Sequence, residues 1–269
     1  MWEKREKDGM IWFTLPRWEE LGAKVVMTCR PGGDSVGDFH GLNLGLHVED
    51  DAATVVANRR KFLNAIGSSE EDFVTLKQVH GKRVLNADAS YRGRGFASYE
   101  DAIDDTDAVF TAEKHILMAT FYADCLPVAV FHPEKKLLGL AHAGWKGTYQ
   151  NIGGELIAAM REQGEFDPSE CLCALGAGIG QCCYEVDETF FIRFKETYPE
   201  AERWFVSDGN GKYHFDNVKA NVDLLCGIGV KKENIDVLGI CTACRNDLFF
   251  SYRKEQGHTG RHGLWGELI

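Results

Sequence analysis

Three residues with metal-donor side chains stand out in this chain of 269 residues: His80, Cys125 and His142. Imidazole and thiolate together suit zinc, and copper as well. Their separations are too wide for a local zinc signature, in which two ligands lie a few residues apart. Each nevertheless ends an apolar run beside glycine, proline or aspartate, in Val79-His80-Gly81, Asp124-Cys125-Leu126-Pro127 and His142-Ala143-Gly144. A side chain there can face a cleft. Taken singly, a hydrogen-bonded histidine or a small buried cysteine is the commoner reading, and the spacing leaves both open.

Other groups carry weaker signals. Gly176-Ala177-Gly178-Ile179-Gly180 could bring backbone N–H groups to an anion, but it fails the dinucleotide spacing and reads equally as a plain turn. Cys241-Thr242-Ala243-Cys244 invites a redox or zinc-ribbon reading; no second pair stands at a suitable spacing and no thioredoxin-like unit surrounds it, so it is expected to be structural, with Cys244 near the cleft. Adjacent Cys182 and Cys183 are expected to be one buried and one exposed thiol. His258 and His262, in a glycine-rich tail, are expected to be solvated.

The elements that position these residues follow from periodicity. Residues 24–29, 73–79, 116–122, 128–131, 137–141, 171–175 and 235–240 are apolar or β-rich runs read as strands. Helices are expected over 51–66, ending at Gly67, over a segment with Ile152, Leu156, Ile157 and Met160 on one face, and over 187–198 and 216–228. His80 and His142 then fall at strand ends, and Cys125 in the break between two strands. Repeats and low-complexity tracts are absent.

The composition, 44% hydrophobic and 26% charged, is that of a globular chain able to bury a core, and no compositional break marks a linker. The reading is one α+β domain over residues 1–269, a layered α/β sandwich of mixed β-sheets flanked by helices, with 1–23 an N-terminal extension of the same domain. A net charge of -11 argues against nucleic-acid and anionic-membrane partners. The first twelve residues have neither signal-peptide nor transit-peptide character, and no apolar stretch approaches the roughly 18 residues of a membrane span. Nine cysteines without a secretory signal point to reduced thiols in the cytoplasm. A monomer is expected.

Gln78-Val79-His80-Gly81, Ala123-Asp124-Cys125-Leu126-Pro127, His142-Ala143-Gly144-Trp145-Lys146-Gly147, Ser251-Tyr252-Arg253 and Thr259-Gly260-Arg261 resemble the laccase-domain family. That family is also called the multicopper polyphenol oxidase or purine nucleoside phosphorylase family. The resemblance runs from about residue 25 onward and takes in Leu42-Asn43-Leu44, Asn58-Arg59-Arg60, Asp107 and Cys182-Cys183-Tyr184-Glu185-Val186. It implies a mixed-sheet sandwich with a metal on His80, Cys125 and His142. It also implies bacterial phosphorolysis of adenosine, inosine, guanosine and methylthioadenosine, with adenosine deamination. Zinc is the expected metal, with copper an alternative. True multicopper chemistry needs many histidines in His-x-His pairs, and this chain has nine histidines and no such pair.

Three protein ligands leave zinc one open position, for a water that attacks C6 of adenosine or for a phosphate oxygen. Asp124 is expected as proton shuttle or as support for the ligands, so Asp124, Cys125 and His142 form the catalytic set. Arg59, Arg60, Lys146 and Arg253 are the expected phosphate donors, and Asn43 and Gln78 the readers of purine or ribose edges. The alternatives are a thiol or zinc amidase acting on cell-wall precursors, with Cys125 as nucleophile and His142 or His80 as base, a copper-dependent polyphenol oxidase, and a zinc-stabilised binding module without turnover.

Overall fold

Strands covered on both faces read as unbroken apolar runs rather than alternating ones, and those runs form the middle of this protein. The computed structural model describes residues 1–269. In chain order the strands are β1 (Glu3–Lys7), β2 (Met10–Thr14), β3 (Ala23–Thr28), β4 (Phe73–Thr75), β5 (Val84–Asn86), β6 (Ala108–Thr111), β7 (Leu117–Tyr122) and β8 (Leu126–His132). They continue as β9 (Leu137–Ala143), β10 (Leu172–Leu175), β11 (Glu185–Asp187), β12 (Phe205–Ser207), β13 (Lys212–Phe215), β14 (Ile235–Val237) and β15 (His262–Leu268). The helices are α1 (Pro16–Glu20), α2 (Ala52–Ile66), α3 (Trp145–Tyr149), α4 (Ile152–Arg161), α5 (Glu188–Thr197) and α6 (Asn217–Gly227).

Two six-stranded sheets, β1-β2-β3-β15-β7-β4 and β14-β10-β8-β9-β6-β5, are antiparallel except at the pairs β4–β7, β5–β6 and β10–β14. They pack face to face: Val25, Met27, Met118 and Leu264 of the first share one core with Ala129, Leu138, Leu140 and Ala174 of the second. Val56, Phe62 and Leu63 of α2 cover the outer face of the first sheet around Phe73 and Trp265. Ile152, Leu156 and Met160 of α4, with Leu225 of α6, cover that of the second. The result is four layers, helix, sheet, sheet, helices. A three-stranded sheet, β11-β13-β12, packs with α5 on an aromatic cluster of Phe194, Trp204, Phe205 and Phe215.

The helix ends obey local chemistry. The Asp51 carboxylate accepts the Thr54 N–H at the start of α2, and Gly67 closes it in the left-handed region. Asp187 and Asp216 cap α5 and α6 in the same way. The run 73–79 is a strand only as far as Thr75, because the amides of Val79, His80 and Gly81 turn to Asp107 instead of a neighbouring strand.

Two regions depart from the sequence expectation. The glycine-rich tail is β15, seated between β3 and β7 with every residue buried, so His262 is a core histidine rather than a solvated one. Its glycines permit close packing: a Cβ on Gly266 would stand 3.2 Å from a Leu138 methyl of the facing sheet. At the other end, β1 and β2 form a hairpin turned by Asp8-Gly9, both at positive φ. The hairpin adds residues 3–14 to the edge of the first sheet, and the exposed charges of Glu3–Lys7 keep that edge from pairing further.

Candidate metal centre and cavity

His80, Cys125 and His142 come from three places in the sandwich. His80 lies in the loop after β4, Cys125 in the turn between β7 and β8, and His142 near the end of β9. Because β8 pairs with β9 and sets Pro127 opposite His142, the residues just before β8 are held beside that imidazole. Cys125 Sγ is 3.6 Å from His80 Nε2, the two imidazole centroids are 4.7 Å apart, and the three donor atoms all lie within 4.8 Å of one another.

Asp107, fully buried just before β6, is the hub of this arrangement. One oxygen accepts the His80 N–H (2.9 Å) and pairs with His142 Nδ1 (2.8 Å), and the other accepts the N–H groups of Val79 (3.1 Å) and Gly81 (2.7 Å). Three successive amides converging on one carboxylate hold His80 in the left-handed region at φ 62°, a conformation that strains a residue with a Cβ. Burial pushes the Asp107 carboxyl up, but the His142 imidazole and the Gly81 and Val79 amides outweigh it and hold the group below its usual range. With Nδ1 so engaged, His142 turns Nε2 toward the other donors, the carboxylate–histidine orientation found behind metal ligands. Gly144 completes the cradle: a Cβ there would come within 2.9 Å of both Cys125 Sγ and the His80 ring.

Burial opposes ionisation of Cys125 and of His142, yet each is charged by the other. The His142 charge lowers the thiol to about 6, and the Cys125 charge together with Asp107 raises the imidazole. One soft thiolate and two imidazoles, fixed at a few ångströms by strand pairing and by Asp107, fit a single borderline metal ion such as zinc.

The donors open into a cavity of about 400 Å³, within the roughly 300–1,000 Å³ of small-molecule pockets. Its walls include His47, Tyr99, Phe121 and Tyr184, and Arg253 and Arg261 also line it.

The family description "Multi-copper polyphenol oxidoreductase laccase" matches residues 24–265. The chain belongs to this laccase family. A purine nucleoside phosphorylase YlmD of Geobacillus stearothermophilus is 37% identical over 241 residues, covering 89% of this chain and 88% of that protein. A protein of the same name from Bacillus subtilis is 35% identical over 234 residues, covering 87% and 84%. The crystal structure of Bacillus licheniformis hypothetical protein YfiH superposes with a TM-score of 0.93 at 31% identity, over 99% of each chain. The family's multicopper label finds no histidine-rich ligand set here, since only His80 and His142 among nine histidines join a group of clustered donors.

Within the laccase-family framework the other sequence candidates divide. Gln78, Asp124 and Arg253 line the cavity. The Gln78 amide is engaged on both sides by the Phe121 backbone, donating to its carbonyl and accepting its N–H, and so fastens the His80 loop to β7. Asp124 is buried and accepts from Thr242 Oγ1 (2.6 Å) and the Arg253 N–H (2.7 Å), which makes it a fastener of the rim. Lys146 is exposed beside the Trp145 ring, outside the lining.

Three expectations are corrected. Arg59 is buried and donates to the carbonyls of Leu44, Gly95 and Phe96, so its guanidinium holds loops and does not meet a phosphate. Arg60 is exposed in an ion pair with Glu70, away from the cavity. Asn43 is buried, donating to Asp50 and accepting the amides of Gly45 and Arg261. Arg261, Tyr99 and His47 were not singled out from sequence; only Arg261 carried a signal, as the last residue of Thr259-Gly260-Arg261.

Proposed function

We propose that this chain is a zinc-dependent purine nucleoside phosphorylase acting on adenosine, inosine, guanosine and methylthioadenosine, with adenosine deamination in the same cavity. The observation that carries the reading is the convergence, on one cavity of about 400 Å³, of His80, Cys125 and His142 with Arg253, Arg261 and aromatic walls. Relatives at 37% and 35% identity named purine nucleoside phosphorylase support it.

Zinc held by His80, Cys125 and His142 would supply a Lewis acid with one position left for phosphate or water. Arg253 engages a protein carbonyl through Nη1 alone, and Arg261 likewise uses Nη1, so each keeps guanidinium donors for phosphate oxygens. Tyr99, Phe121 and Tyr184 bury the purine face and exclude water from C1′. In phosphorolysis a phosphate oxygen bonds to C1′ as the C1′–N9 bond breaks, and the electron pair leaves with the base. In deamination a water oxygen adds at C6 and ammonia departs.

A second reading has one observation in its favour, the Cys125 thiol lowered beside His142, which without metal is the pairing of a thiol nucleophile with its base. It points to an amide substrate such as a cell-wall precursor. Metal-quantified protein incubated with adenosine or inosine, with and without phosphate, separates the two by product chromatography. Free base plus ribose 1-phosphate only with phosphate, and inosine from adenosine, are the expected products. Unconsumed nucleosides in the presence of one zinc per centre would overturn the phosphorylase reading and bring amides forward.

A further inference from the structure

The proposed reaction leaves eight of the nine cysteines unused, and the fold gathers four of them at one place. Cys182 and Cys183, in the turn before β11, meet Cys241 and Cys244, in the loop after β14, across about sixty residues of sequence. The two pairs that look unrelated along the chain therefore complete one another, and the expectation that Cys241 and Cys244 lack a partner pair is corrected. All four Sγ atoms lie within 4.8 Å of one another, with Cys244 Sγ 3.5 Å from both Cys182 Sγ and Cys183 Sγ. Four thiolates around one zinc at about 2.3 Å stand at the corners of a tetrahedron with edges of about 3.8 Å, which is the span found here. An iron–sulfur cluster puts its own sulfides between the thiolates and needs them further apart.

The backbone is shaped for this approach. Gly178 bridges Cys241 in parallel, the Thr242 N–H donates to the Gly178 carbonyl, and the Gly180 N–H donates to Cys241 Sγ at 3.2 Å. The amides of Cys183 and Tyr184 both turn back to the Gly180 carbonyl, which throws the two adjacent thiols to the same side. Gly180 leaves room for the cluster, since a Cβ there would stand 3.0 Å from Cys241 Cβ and 3.4 Å from Cys182 Sγ. Arg253 and Lys254, together with Asp247 held by Arg245, line the adjoining hollow beside Cys183 and Cys244.

We propose that Cys182, Cys183, Cys241 and Cys244 form a second metal centre, a tetrathiolate site for one zinc ion with no open position. Its closed donor set makes it structural rather than catalytic. Zinc displaces the four thiol protons to solvent and ties together the two loops that frame the cavity. One of these loops carries Tyr184 of the cavity wall. The other carries Thr242, which holds Asp124 beside Cys125.

Zinc content and cobalt spectra test this independently of any nucleoside activity. Full-length protein reconstituted with zinc under reductant should hold two ions per chain. The double variant Cys241→Ser/Cys244→Ser should hold one, and so should His80→Ala/His142→Ala. Cobalt loaded into the latter should give the strong thiolate-to-cobalt charge-transfer bands of a tetrahedral tetrathiolate. The exposed single change Cys182→Ser, mild enough to fold, should lose the same ion. The proposal is overturned if the histidine variant, with its thiols reduced, takes up neither zinc nor cobalt. A Cys182–Cys244 or Cys183–Cys244 disulfide persisting in place of metal would likewise overturn it, in favour of a redox pair.

Discussion

The inner wall of the cavity and its rim use the same residue types in opposite ways. Gln78 on the wall and, behind it, the buried Asp107 and Arg59 are tied to backbone amides, carbonyls or a ligand histidine, Arg59 through Nε and Nη1. On the rim, Arg253 and Arg261 each commit one nitrogen and keep others. Arg59 and Arg253 both belong to stretches that resemble the family, yet one is a loop fastener and the other faces a cavity. A side chain buried behind the cavity and tied to its own backbone positions others; one that lines the cavity with donors to spare can bind a substrate.

The contrast breaks most directly at Asp107. Asp107→Ala strands three amides and releases His142, and should destabilise the fold by about 3–5 kcal/mol, read from the urea midpoint, while zinc affinity falls about 10–100-fold. An unchanged affinity in the folded variant would remove Asp107 from its place behind the metal ligand. Arg59→Gln should cost about 3 kcal/mol through its lost buried bonds and leave the KM for phosphate of the folded fraction unchanged; a raised KM would return Arg59 to the substrate.

His262 extends the wall into the core and gives a pH signature. Burial, reinforced by the Arg261 charge, lowers its pKa from 6.5 to about 3, so the folded chain keeps it neutral while the unfolded chain protonates it. Its contribution is intact above pH 6.5 and is lost progressively as the pH falls from there toward 3, at about 1.4 kcal/mol per unit. His262→Phe should flatten that slope in urea titrations between pH 6.5 and 5, whatever its absolute stability. The smallest effect belongs to the rim: Arg253→Gln should raise the KM for phosphate about tenfold, or about 1.4 kcal/mol, with the urea midpoint unmoved.

Local patterns carried the helices and the buried strands. Asp51 and Gly67 bracket α2, and apolar runs such as 116–122 and 128–131 mark strands with two covered faces. β15 is hidden because Gly263 and Gly266, which look like a tail, serve packing: Gly263 leaves room for the Trp265 indole, and Gly266 for Leu138 of the facing sheet. The turn of the β1–β2 hairpin is legible in Asp8-Gly9, but the charged residues of Glu3–Lys7 mask the strand that precedes it. At the site the donors stood out by type and position, but what holds them did not. Asp107 works through partners 26–35 residues away, and Cys182 meets Cys244 across 62; such contacts exist only once the strands are paired.

If His80, Cys125 and His142 hold the reacting metal while Arg253 and Arg261 bind phosphate, losing one ligand costs turnover far more than losing one thiol of the separate cysteine cluster. Initial rates of ribose 1-phosphate release from inosine by folded His80→Ala and Cys244→Ser, each beside the unaltered protein, test it most directly. The expected loss is at least about a hundredfold for His80→Ala and less than about tenfold for Cys244→Ser; undiminished turnover in His80→Ala would remove the metal centre from the reaction.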